Sequence, residues 1–193
     1  MSEARVIYLL RHTRLAGAEG LCYGHTDLPL AASYAEELAV IRDGLGGVAF
    51  GAVWSSPAGR CRRLAEEFAA AGQLRTEARL QELDFGAWEN REWVSFRGPE
   101  SEAWALDPWR LAPPGGESGA ALWARVGAFR AELHGQVKTG GAPVLVVTHA
   151  GVIRAWLGLE RGLGWAEAMR LPVQHGSLTK INTGGRTVTD SKL

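Results

Sequence analysis

Val144-Leu145-Val146-Val147 is a continuous apolar run that leads directly into the polar pair Thr148-His149. A second run of this kind, Val6-Ile7-Tyr8-Leu9-Leu10, leads into Arg11-His12-Thr13. Short apolar runs without alternation are typical of strands that are buried on both faces of a parallel sheet. A third short strand is predicted over residues 51–55.

Three helices are predicted between the first and the last of these strands. Ser33 and Glu36 are predicted to form a capping box in front of the first helix, and Ser56-Pro57 is predicted to begin the second. Gly140-Gly141 is predicted to close the third. This alternation of strands and helices predicts an α/β fold, a three-layer sandwich with a mostly parallel central sheet. The apolar stripes of the three helices are Tyr34, Leu38, Ile41 and Leu45; Cys61, Leu64 and Phe68; and Leu122, Val126, Phe129 and Leu133.

Length and composition bound the class of protein. A chain of 193 residues, 46% hydrophobic and 22% charged, fits one globular domain over residues 1–193. We expect a helix-containing excursion at about 95–117 to cover one edge of the sheet. A formal net charge of zero gives no footprint for nucleic acid or an anionic membrane. Two cysteines and the lack of a long apolar stretch lead us to expect a soluble, cytoplasmic protein, either a monomer or a homodimer.

Polar residues that suit a phosphate follow three of the predicted strands. Arg11 and His12 follow the first strand, Arg60 lies in the first turn of the helix after the second, and His149 follows the last. Because ligands bind beyond the carboxyl ends of parallel strands, we expect these side chains to converge. Arginine grips phosphate oxygens with a permanent charge, and a neutral histidine serves as a nucleophile. The pattern predicts phosphoryl chemistry that needs no metal and no cofactor.

Four motifs resemble, in order, those of the histidine phosphatase superfamily, also called phosphoglycerate mutase-like. The motifs are Leu10-Arg11-His12-Thr13, Ser55-Ser56-Pro57-Ala58-Gly59-Arg60-Cys61, Leu80-Gln81-Glu82-Leu83-Asp84-Phe85-Gly86-Ala87-Trp88-Glu89 and Val147-Thr148-His149-Ala150-Gly151-Val152. The resemblance implies a phosphoglycerate mutase-like fold and a small-molecule phosphate monoester as substrate. It makes His12 the nucleophile and Glu82, which we expect to be partly buried, the proton donor and acceptor. Arg11, Arg60 and His149 are then the residues that hold the phosphate oxygens.

Within the superfamily, the chain most resembles the α-ribazole phosphatases, which act late in cobalamin assembly. The resemblance lies in Gly20-Leu21-Cys22-Tyr23-Gly24-His25-Thr26-Asp27-Leu28-Pro29-Leu30 and in Pro114-Gly115-Gly116-Glu117-Ser118. It implies substrate contacts from Tyr23, Gly24 and Glu117. It also implies α-ribazole 5′-phosphate as the substrate.

Two further residues, Thr13 and Trp88, are candidate substrate contacts. Thr13 stands where relatives more often have glycine, and Arg14-Leu15-Ala16-Gly17-Ala18 lacks an asparagine that relatives place near the phosphate. Thr13 is therefore a candidate phosphate contact. Trp88, with Trp104 and Trp109, is a candidate for an aromatic wall against a flat base.

Three other interpretations stay open. A broad-specificity phosphatase for small phosphate esters fits the same residues. A phosphoglycerate mutase must also bind a carboxylate, and the region after Glu89 lacks the paired basic residues expected for that. An inactive binding module would have lost a catalytic residue. None of the five expected catalytic residues is missing; they are Arg11, His12, Arg60, Glu82 and His149. The other histidines, His25, His134 and His175, have no metal-ligand spacing and are predicted to be structural or on the surface.

Overall fold

The computed structural model describes residues 6–137, 140–182 and 187–191. The strands are β1 (Val6–Arg11), β2 (Leu21–Cys22), β3 (Ala52–Ser55), β4 (Leu74–Thr76), β5 (Arg91–Glu92), β6 (Val144–Thr148), β7 (Leu178–Asn182) and β8 (Thr187–Ser191). The helices are α1 (Tyr34–Leu45), α2 (Gly59–Glu66), α3 (Pro99–Leu106), α4 (Gly119–Gln136), α5 (Ala150–Arg161) and α6 (Trp165–Ala168). Single 3-10 turns cover Ala78–Leu80, Gly86–Trp88 and Trp93–Ser95.

The central sheet has the strand order β4-β3-β6-β1-β7-β8. The pairs β4–β3, β3–β6 and β6–β1 are parallel, and β7 and β8 extend the sheet in antiparallel fashion. The predicted α/β fold with a mostly parallel central sheet is therefore confirmed. Strands β2 and β5 form a separate two-stranded sheet.

Both faces of the central strand β6 are buried, as its unbroken apolar run predicts. Val144 and Val146 pack into a core with α4 and α5, whereas Leu145 and Val147 pack into a second core with α1 and α2. Alternate residues of a strand point to opposite faces, so one apolar run serves two cores. Helices therefore lie on both sides of the sheet, which confirms the three-layer arrangement.

The first predicted helix has the expected stripe but not the expected cap. Leu38, Ile41 and Leu45 of α1 are buried, and the helix begins after Ser33. The Ser33 hydroxyl donates to a Glu37 carboxylate oxygen at 2.6 Å instead of accepting a backbone N–H. The predicted capping box with Glu36 is therefore wrong, because the serine side chain is already engaged one turn further along the helix.

Two other predicted helix ends are displaced. Helix α2 begins at Gly59 rather than at Ser56-Pro57, because a carboxylate from another loop caps it, as described below. The long helix α4 ends at Gln136, so Gly140-Gly141 lies beyond it and does not close it. Its predicted stripe is confirmed, since Leu122, Val126, Phe129 and Leu133 are all buried.

The segment between β5 and α4 carries the short helix α3. Trp104 of this helix and Pro108 after it line the main cavity at the carboxyl edge of the sheet. None of the helices described here is long and apolar enough to cross a membrane.

Candidate active site

The carboxyl ends of three parallel strands bring the predicted site residues together. The backbone N–H of His12 donates to the Thr148 carbonyl at 3.0 Å, and that of Ser56 donates to the Val147 carbonyl at 3.0 Å. The chain thus leaves β1, β3 and β6 side by side. The five predicted catalytic residues line one cavity of about 470 Å³; they are Arg11, His12, Arg60, Glu82 and His149.

His12 is held as a neutral imidazole with one nitrogen free. Its Nδ1 lies 2.7 Å from the Thr13 carbonyl, and a carbonyl only accepts, so Nδ1 carries the proton. Burial lowers the pKa of His12 well below its usual value, and the nearby Arg60 and Arg11 lower it further. Within the described part of the chain, Nε2 forms no hydrogen bond, so its lone pair is available for attack on an electrophile.

The guanidinium of Arg60 is fully buried and fixed through its outer nitrogens. One of them donates to the Thr26 carbonyl at 2.8 Å and to Asp27, and the other donates to the Gly24 carbonyl at 2.6 Å and to His149. These four contacts use all four outer protons. The only donor that remains is Nε–H, which is buried without a partner.

Arg11 is fixed in the same manner at the other side of His12. Its outer nitrogens contact the Val173 carbonyl at 2.7 Å and Nε2 of His175 at 2.8 Å. Its Nε–H is also buried without a partner. A buried, charged donor without an acceptor is costly, so two of them in one cavity indicate a site for an anion.

His149 is packed against Arg60 and the end of β3. Because a guanidinium only donates, Nδ1 of His149 accepts from Arg60 at 3.2 Å, and Nε2–H donates to the Ser56 hydroxyl at 2.8 Å. Burial lowers the pKa of His149 well below its usual value, and the charge of Arg60 adds to this effect. Direct contact of His149 with a phosphate oxygen requires it to release one of these two partners.

Glu82 lies across the cavity at the amino terminus of α5 and is half-buried, as expected. One carboxylate oxygen accepts from the Leu83 N–H at 3.0 Å, and the other accepts from the Gly151 N–H at 3.1 Å. A Cβ atom on Gly151 would lie 2.3 Å from a Glu82 carboxylate oxygen, so a larger residue there would displace the carboxylate. Because the helix amino terminus presents free N–H groups, α5 fixes the orientation of the acid.

Four of the five predicted substrate contacts lie outside the cavity lining, and Tyr23 alone belongs to it. The Gly24 carbonyl instead holds Arg60, and Thr13 is buried with its hydroxyl unpartnered. Trp88 packs against Trp104 behind the wall. The Glu117 carboxylate binds Arg125, which in turn donates to the carbonyls of Arg79, Gln81 and Glu82.

The cavity beyond the charged cluster is aromatic and apolar. The predicted wall of Trp88, Trp104 and Trp109 is correct only for Trp104, since Trp88 and Trp109 do not line the cavity. Its aromatic lining is Tyr23, Phe85, Trp93, Trp104 and Trp165. Phe85, Trp93 and Trp165 lie in loops or short helices without a periodic pattern, so their place in the cavity lining was not predicted from the sequence.

Three polar residues of the site are not found by sequence pattern. His175, predicted to be structural or on the surface, contacts Arg11 and lies with its ring 5.3 Å from that of His12. Asp27 accepts from the Gly59 N–H at 2.6 Å and thereby caps α2. Arg154 lines the cavity one turn into α5.

In the described part of the chain, no cluster of three or more side chains could hold a metal ion.

Comparison with known proteins places this geometry in a family. The profile of the histidine phosphatase superfamily (branch 1) matches residues 7–190. The chain belongs to this superfamily. It is also 31% identical over 186 residues to a probable phosphoglycerate mutase from Salmonella choleraesuis, a match that covers 91% of this chain and 84% of that protein.

Solved structures show the same architecture over nearly the whole chain. The α-ribazole phosphatase from Shigella flexneri superposes with a TM-score of 0.84 at 26% identity, covering 97% of this chain and 95% of that one. A mycobacterial glucosyl-3-phosphoglycerate phosphatase superposes with a TM-score of 0.78 at 25% identity, covering 92% and 89%. Together with the family, these similarities support a phosphatase or a mutase.

Proposed function

We propose that this chain is a metal-independent phosphomonoesterase that acts through a phosphohistidine on His12. The observation that carries the proposal is the free Nε2 of a neutral His12, set between two arginines whose Nε–H donors are buried and unpartnered. Phosphoryl transfer depends on positioning and charge stabilisation, and this cluster supplies both. Arg11 and Arg60 then hold the phosphate oxygens, and His149 keeps Arg60 in place.

In the first step, the Nε2 lone pair of His12 attacks phosphorus, and the bond from phosphorus to the ester oxygen breaks. The protonated Glu82 carboxyl gives its proton to the departing alkoxide, so an alcohol leaves. In the second step, water attacks phosphorus and gives a proton to the Glu82 carboxylate. The P–N bond breaks with its electron pair returning to Nε2, which releases inorganic phosphate and restores both groups.

For the substrate, the aromatic part of the cavity favours an ester with a large flat leaving group. Trp93, Trp104 and Trp165 line the space next to the charged cluster, and stacking on such rings stabilises a planar base. We therefore propose α-ribazole 5′-phosphate as the substrate, in line with the similarity to the Shigella flexneri enzyme. Hydrolysis of this compound belongs to cobalamin assembly, which the resemblance of residues 20–30 also favours.

The test compares phosphate release from α-ribazole 5′-phosphate, p-nitrophenyl phosphate and several sugar phosphates. We expect kcat/KM to favour α-ribazole 5′-phosphate by about a hundredfold, which corresponds to roughly 2.7 kcal/mol. Similar kcat/KM values for all of these esters would overturn the assignment of α-ribazole 5′-phosphate as the substrate but would not contradict the phosphatase mechanism. His12→Ala should abolish turnover and the acid-labile phosphoenzyme, whereas the matched control His134→Ala, remote from the cavity, should retain both. Full activity in His12→Ala would overturn the mechanism.

A second candidate function, favoured by Arg154, is transfer or hydrolysis of a phosphate ester that carries a carboxylate. Arg154 lines the same cavity, donates Nε–H to the Leu171 carbonyl at 2.9 Å, and forms no ion pair with any described carboxylate. An arginine at the cavity lining can supply a positive charge to a substrate carboxylate. This function predicts that 3-phosphoglycerate is the best substrate and that Arg154→Leu weakens it selectively. An unchanged ratio of 3-phosphoglycerate to p-nitrophenyl phosphate in Arg154→Leu excludes it.

A further inference from the structure

His175 lies just before β7, behind the two residues that meet the phosphate in the proposed mechanism. Its Nε2 is 2.8 Å from an outer nitrogen of Arg11, and its ring is 5.3 Å from the ring of His12 at an angle of 59°. It does not line the main cavity. Any effect of His175 on the reaction therefore passes through Arg11 or His12.

The contact with Arg11 has only one possible direction. An arginine has no acceptor, so Nε2 of His175 accepts and its proton is on Nδ1. Burial, together with the positive charge of Arg11, lowers the pKa of His175 to about 4. His175 is thus a neutral acceptor at neutral pH.

This acceptor determines how Arg11 is presented to the anion. The Val173 carbonyl holds one outer nitrogen of Arg11 and His175 holds the other, so the plane of the guanidinium is fixed by two contacts from one short segment. The buried Nε–H is left without a protein partner. If the acceptor at 175 is lost, we expect the guanidinium to pivot about its contact with the Val173 carbonyl.

We propose that His175 is a positioning residue that orients Arg11 toward the phosphate, an inference that rests on the proposed phosphoryl chemistry at His12. It predicts an acceptor requirement at position 175. A purely structural role predicts a requirement for a ring of similar volume, because the ring also packs against His12. The two roles are separable by substitution.

Two variants of opposite character make the separation. His175→Phe keeps a ring of similar shape and removes the acceptor. His175→Gln removes the ring and places an amide oxygen about as far from Cβ as Nε2 of the imidazole. Gln174→Leu, at the exposed neighbouring position, is the matched control. We expect kcat/KM for p-nitrophenyl phosphate to fall about tenfold to a hundredfold in His175→Phe, the range for a lost hydrogen bond to a charged group. Most of this loss should be restored in His175→Gln.

The affinity for orthovanadate, measured by calorimetry, tests the contact between His175 and Arg11 without substrate turnover. His175→Phe should weaken orthovanadate about tenfold or more, while its melting temperature stays near that of Gln174→Leu. In an Arg11→Lys background, which lacks the fork, His175→Phe should cost less than about threefold further. Equal losses in both backgrounds overturn the proposal, as do unchanged orthovanadate binding in His175→Phe or a greater loss in His175→Gln than in His175→Phe.

The two proposals fail in different ways. If the wild-type chain binds orthovanadate with the predicted dependence on position 175 but hydrolyses no phosphate ester, the proposed function fails and the orientation of Arg11 by His175 stands. If the wild-type chain hydrolyses esters and His175→Phe does so equally well, only the role of His175 fails.

Discussion

Lowering the pH from 7.5 to 5.5 should destabilise the protein through its buried histidines. Burial and nearby arginines lower the pKa values of His12 and His149 well below 6.5, so both stay neutral in the folded state. In the unfolded chain each has a pKa of about 6.5 and takes up a proton over this range. The unfolded state then binds more protons, and the free energy of unfolding falls as pH falls.

The magnitude follows from these two histidines and His175. His12 and His149 each contribute about 1.4 kcal/mol between these pH values. His175, whose pKa is lowered to about 4, adds nearly the same amount, so the three together contribute about 4 kcal/mol. With an m value of about 2.5 kcal/mol/M, the urea midpoint should fall by about 1.6 M, as followed by tryptophan fluorescence. In His12→Asn the fall should be about two thirds as large. A midpoint that is constant between pH 7.5 and 5.5, or that falls equally in His12→Asn, would refute this reasoning.

Three further substitutions test the construction of the site. Gly151→Ala places a Cβ atom 2.3 Å from the Glu82 carboxylate, so kcat should fall at least about tenfold while the inhibition constant of orthophosphate stays unchanged. Asp27→Asn weakens both the cap of α2 and the ion pair with Arg60. The free energy of unfolding should therefore fall by about 1 kcal/mol, which lowers the melting temperature, and orthophosphate should inhibit less well. Trp165→Ala should lower kcat/KM for α-ribazole 5′-phosphate about tenfold but leave glycerol 3-phosphate within about twofold; equal losses for both esters would argue against stacking in the cavity.

The fold was predictable because its decisive signals are local. The runs at residues 144–147 and 6–10 are apolar throughout, which is typical of strands that are buried on both faces of a sheet. The convergence of His12 and His149 followed from the same runs, because parallel strands end at one edge. No knowledge of the packing was required for either step.

The missing parts of the site depend on contacts between distant segments. Asp27 caps α2 from 32 residues away, which is why the local serine at position 56 does not begin the helix and is free to bind His149. His175 meets Arg11 across 164 residues. A histidine or an aspartate in a loop has no periodicity that marks its partner, so these roles emerge only when the sheet has brought the loops together.

The two arginines account for both halves of the proposed chemistry. Backbone carbonyls and histidines occupy the outer nitrogens of Arg11 and Arg60, so neither side chain has to reorganise when an anion arrives. The same charges lower the pKa of His12 and keep its nucleophilic nitrogen unprotonated. When a phosphate dianion enters, its negative charge offsets those of the arginines, which favours the positive charge that His12 acquires as the P–N bond forms. Binding of the anion and activation of the nucleophile therefore follow from one arrangement of charge.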